Sequence, residues 1–165
     1  MILGMSIATF TLVHVVLSLI GIVSGLIAVV GMLGGRRLDG WTALFLATTV
    51  ATSVTGFMFG SSFDPAQVIG IISLLALLVA IAALYAYRLG GAWRWLYVVS
   101  AVLALYLNCF VGVVQAFQKL PFLRPLAPTQ SEPPFLVAQL LVMALFIVLG
   151  ILGVRRFHPG ATARA

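Results

Sequence analysis

Acidic residues are almost missing from this chain, with three among 165, at Asp39, Asp64 and Glu132. Charged residues of both signs make up 7% of it. A soluble domain carries about 25%. So little polar surface cannot cover a globule in water, and 63% of the residues are apolar, so a bilayer is the natural solvent. The single cysteine, Cys109, excludes an intrachain disulfide and any paired-cysteine metal or redox motif. Two histidines are present. His14 and His158 are expected at opposite membrane surfaces, which excludes haem held by both, and neither supplies the three or four ligands that zinc or iron needs. No acid falls inside an apolar run, so the carboxylate relay of a proton-driven pump is absent. No Ser-His-Asp spacing, phosphate-binding loop or dinucleotide fingerprint appears. No catalytic residue, metal or cofactor is expected.

Five apolar runs are present, each near the ~20 residues that span a hydrocarbon core. They cover about residues 13–33, 41–60, 68–87, 95–117 and 135–154. In lipid, helices satisfy their own backbone groups, and no barrel-like alternation is seen. The fold class expected is all-α, an integral membrane bundle of five transmembrane helices in one domain. The opening "MILGMSIATF" has no positive region, so the first run is expected to stay as a helix and not be cleaved. Whether residues 1–12 extend that helix or form a surface arm stays open.

The nine Lys and Arg give a sequence pI near 10.5. They lie in short clusters between apolar runs and not on one basic face, which argues against nucleic acid. "GGRRLDG", "RLGGAWR" and the tail "RRFHPGATARA" hold seven of the nine. With five spans these three segments share one side, so the positive-inside rule puts the N-terminus outside and the basic tail, 155–165, in the cytoplasm. Trp41, Trp93, Trp95, Tyr85, Tyr87 and Tyr97 flank the same segments as an interfacial belt. The proline-rich loop 118–134 then faces outward.

Polar groups inside the spans crowd toward that outer end. His14, Ser18, Gly21, Gly25 and Ala28 form one face of the first helix, and "GIVSG" permits close helix approach. Asn108 and Gln115 lie two turns apart on the fourth helix. Ser53 sits on the second helix and Gln139 near the start of the fifth. Lys119 and Glu132 flank the loop, and Ser131 or Thr129 is a candidate cap for the fifth helix, with Glu132 at the positive end of its dipole. An unpaired amide in hydrocarbon costs a few kcal/mol, so these groups should find partners. The expected site is an outward polar cleft roofed by the loop, with His14, Ser53, Asn108, Gln115, Gln139, Glu132 and Lys119 as ligand-binding residues. The competing reading makes the same groups interhelical hydrogen bonds with no ligand.

At "GWTALFLATTVATSVTGF" and "ALYLNCFVGVVQAFQKLPFLRPLAPTQSEPPF" the chain resembles short, uncharacterised multi-pass proteins of bacteria. The resemblance implies the bacterial inner membrane and carries no activity. The functional expectation is a non-enzymatic membrane component that binds a small ligand or lipid, or serves in a homo-oligomer or larger membrane complex. The alternatives are an oligomeric transporter or channel and a quinone-interacting accessory of a respiratory complex.

Overall fold

The computed structural model describes residues 1–60 and 64–160. Residues 61–63 of the second connection, and Arg164 of the expected basic tail, lie outside the described residues. Five helices, α1 (Ile7–Leu33), α2 (Asp39–Gly56), α3 (Pro65–Ile81), α4 (Trp93–Lys119) and α5 (Pro133–Arg156), carry the fold. Among the described residues these five are the helices long and apolar enough to cross a membrane. At 27 residues each, α1 and α4 run about 40 Å, longer than the ~30 Å hydrocarbon core.

Local chemistry sets the ends. Ser6 caps α1 by accepting a bond from the Thr9 amide at 3.1 Å, so the helix starts at Ile7, six residues before the expected span. Ahead of it Ile2 and Met5 exchange backbone bonds in a tight turn. Asp64 caps α3 through the Gln67 amide at 3.0 Å, and Pro65 follows at the first turn, where a missing N–H costs little. At the far end α3 widens into a π turn, Ala82–Ala86. Arg88 and Leu89 then adopt φ of +48° and +60°, a left-handed region that costs an L-residue about 1–2 kcal/mol. The α2 helix ends in a 3₁₀ turn, Phe57–Phe59.

The α4 helix is the spindle of the bundle and touches each of the other four. Around it α3 neighbours α2, α2 neighbours α1, and α1 neighbours α5. In the most apolar stretch of α4, 44% of the residues are buried, against 17% in that of α5, so α5 is the peripheral helix. The main core fills the half of the bundle nearest the arginine-rich connections. Met32, Phe45, Leu77, Leu84, Tyr97, Val98 and Leu105 there are all at most 2% exposed. A second, small cluster of Phe117, Ala127 and Phe135 ties the proline-rich loop to α4 and α5 at the opposite end. Of the expected interfacial aromatics, Trp41, Trp95, Tyr85 and Tyr87 are exposed, and Trp93 stacks on Tyr87 with ring centroids 3.8 Å apart. Tyr97 instead turns inward against Phe157.

The α1 glycines work at close approaches, as expected from their spacing, but against side chains. A Cβ on Gly25 would come within 2.6 Å of Leu105 Cδ1 and 2.8 Å of the Phe45 ring. One on Gly21 would sit 3.0 Å from Thr49 Oγ1, 3.1 Å from Asn108 Nδ2 and 3.3 Å from Thr48 Oγ1.

Candidate functional site

The polar side chains of the spans reach partners in separate helix interfaces. His14 Nδ1 and Thr55 Oγ1 are 2.8 Å apart between α1 and α2, and Phe59 stands edge-on to the imidazole. Asn108 Nδ2 donates to the Ser18 carbonyl at 3.3 Å between α4 and α1. Ser53 bonds Ser73 at 3.2 Å between α2 and α3. Gln139 Nε2 donates to the Phe110 carbonyl at 3.2 Å between α5 and α4. Gln115 is half-buried and makes no hydrogen bond among the described residues, and Lys119 is exposed in the last turn of α4. So His14, Ser53, Asn108 and Gln139, expected to share one cleft, bond across four different seams. The reason is azimuth: they lie at neighbouring depths but point in different directions around α4. Thr49 Oγ1 and Thr52 Oγ1 on α2, and Gln139 Oε1, are buried without a partner among the described residues.

Glu132 also differs from expectation. It is itself the residue capping α5, and its carboxylate turns away from the helix. Pro133 and Pro134 occupy the first turn and have no N–H to offer. Oε1 instead accepts from the Thr129 hydroxyl at 2.7 Å and the Thr129 amide at 3.2 Å, and Oε2 from the Ser131 amide at 3.1 Å. Thr129 and Ser131 are thus donors to Glu132 and not caps. The Thr129 hydroxyl, helped by these amides, holds the carboxyl below its ordinary pKa. A depressed pKa stabilises the ionised, folded loop above the unfolded value, and that contribution is lost as pH falls through the folded one. Acidification is therefore expected to loosen residues 127–132 before the helices. Glu132→Gln should reproduce this at neutral pH, read as faster amide exchange at Thr129 and Ser131.

The loop so tied borders a half-open pocket. Gln130, at φ +60°, sends Nε2 to the Val114 carbonyl of α4 at 3.1 Å. A 3₁₀ turn, Arg124–Leu126, forms the other limb. Between them and the end of α4 lies a cavity of about 400 Å³ lined by Phe117, Gln118, Arg124, Thr129 and Gln130. Phe122, on the same loop, is 70% exposed. The sequence predicts a loop that roofs a cleft between helices; the pocket instead lies between the loop and the end of α4. The clustering of five of the chain's seven prolines there was its available signal.

Fold and placement define the class: an all-α, multi-pass membrane bundle of five helices whose polar loop and arginine-rich connections lie at opposite ends. No family model matches this chain, and neither a curated protein nor a solved structure matches it.

Proposed function

We propose that the chain is a non-enzymatic component of the bacterial inner membrane, oriented N-terminus outside and C-terminus in the cytoplasm. It takes a small, acceptor-rich ligand in the cavity of the outward loop. The orientation rests on the arginine distribution, and the bacterial membrane on the sequence resemblance. The observation that carries the ligand reading is the pre-tied loop: Glu132 braces residues 129–131 and Gln130 fastens them to α4 beside about 400 Å³ of space. A cavity ordered before binding avoids the entropy of arranging its walls. Gln118 and Arg124 offer N–H donors there, which suits a carboxylate or a carbonyl-bearing solute. Lys119 beside it adds to the attraction for negative charge. His14, Ser53, Asn108 and Gln139 serve this reading as seams that fix the helices beneath the loop. A transport path through one copy is disfavoured, because Phe45, Leu77 and Leu105 fill the other half of the bundle.

Two measurements test this on a Cys109→Ser background. A membrane-impermeant thiol reagent is expected to label Gln118→Cys in intact cells and Arg156→Cys only after permeabilisation; the opposite pattern reverses the orientation. Native mass spectrometry of protein extracted from its own membrane is expected to find a bound small molecule, a quinone included. Arg124→Ala should lose it with an unchanged melting temperature. Equal ligand content in both forms sinks the assignment.

A further inference from the structure

At the arginine-rich end, segments far apart in sequence close on a second cavity, of about 530 Å³. Arg37 comes from the α1–α2 turn, Arg88 from the α3–α4 turn, Arg94 from the first turn of α4, and His158 from beyond α5. Three arginines and a histidine are among the residues that line it. The acid beside them is Asp39, paired with Arg37. Like charges brought to one place repel, and an anion between them removes the repulsion.

Arg94 has a structural reason to be there, since it bonds the end of α5. Arg88 has none: it is exposed and makes no hydrogen bond or ion pair among the described residues. Yet the backbone holds it at φ +48°, beside Leu89 at +60°, with Gly90 and Gly91 following directly. Strain of this kind persists where the surrounding structure requires a particular placement. Exposed Trp41, Trp95, Tyr85 and Tyr87 ring the same end, and such aromatics sit at headgroup depth. Guanidinium forks match phosphate oxygens in charge and geometry.

The geometry points to a phosphate site between Arg37, Arg88 and Arg94, with His158 at its rim. The phosphate belongs either to the headgroup of an anionic phospholipid or to a free phosphate species, and both present the same oxygens to the arginines.

The full chain, in nanodiscs of phosphatidylcholine with or without phosphatidylglycerol, provides the test. Native mass spectrometry counts retained lipid, and melting curves with inorganic phosphate probe the free anion. Wild type is expected to retain phosphatidylglycerol over phosphatidylcholine. Arg88→Gln should lower that retention about fivefold, the worth of one basic residue near an anionic surface. Arg155→Gln, which removes an exposed arginine outside the cavity at the same end, should not lower it. Arg88→Gly, which relaxes the left-handed backbone, should lose retention to the same degree while melting no lower than wild type, so loss of binding is separable from loss of fold. If inorganic phosphate raises the melting temperature of wild type but not of Arg88→Gln, and no lipid preference appears, the site holds and its occupant is the free anion. The site is overturned if neither probe distinguishes wild type from Arg88→Gln. It is equally overturned if Arg155→Gln lowers retention as much as Arg88→Gln, since the effect is then diffuse surface charge.

Discussion

Arg94→Ala is expected to release the last turn of α5 while leaving the other four helices assembled. Arg94 Nη1 donates to the carbonyls of Val154 and Phe157, both at 2.8 Å. The last carbonyls of a helix have no intrahelical donor, and a cation there also meets the negative end of the helix dipole. Hydrogen bonds from a charged group contribute about 1.5–3 kcal/mol each, so losing the pair should cost about 3 kcal/mol locally. Little else compensates, because α5 is the least buried helix. Its main inward anchor at this end is Phe157, 1% exposed against Tyr97. Amide exchange from Gly153 to Phe157 should quicken about a hundredfold, the factor that such an energy implies. Arg94→Lys should recover only part, since an ammonium lacks the planar fork. Unchanged exchange in Arg94→Ala would show that packing alone docks α5.

Gly25→Val should have the second large effect, and a global one. Its added carbons would enter space held by Leu105 and Phe45, which are 0% and 1% exposed. These two side chains come from α4 and α2, so the substitution wedges three helices at once. Overpacking a filled core costs about 1–3 kcal/mol, and the upper end applies where neither neighbour has room to turn. Gly112→Ala is the matched control. Its Cβ would meet only Ile22 Cδ1, at an ordinary 3.7 Å, and it should gain about 0.5–1 kcal/mol from helix propensity. Unfolding in mixed micelles reads both. Equal stability of the two variants would refute the close-packed junction.

The number of helices and their approximate spans were legible because a hydrocarbon solvent leaves a strong, simple signature. Runs of apolar residues had to be helices, and basic residues and aromatics had to mark their ends. The start of α1 was harder to read. The lead-in is as apolar as the span, and only Ser6 and Thr9 distinguish a capped helix from a surface arm. Spacing on α1 correctly grouped His14, Gly21 and Gly25 on one protein-facing side. It carried no information about the helices opposite, which prove to be α2 and α4. Depth along an axis can be counted from a boundary; direction around it depends on which neighbours pack, and no single segment encodes that. Hence Asn108 and Gln139 were placed at the right end but in the wrong company. Glu132 could have been read better, since two successive prolines after it leave the helix start without N–H donors for its carboxylate. The arginine cavity was half visible: three basic segments on one side were evident, but their convergence needs the whole bundle.

The central position of α4 also orders the assembly of the molecule in time. A ribosome releases α1, α2 and α3 before the element that all three lean on. Until it arrives, Gly21 and Gly25 have α2 beside them but lack Asn108 and Leu105. The fourth segment therefore completes contacts that α1, α2 and α3 cannot make among themselves.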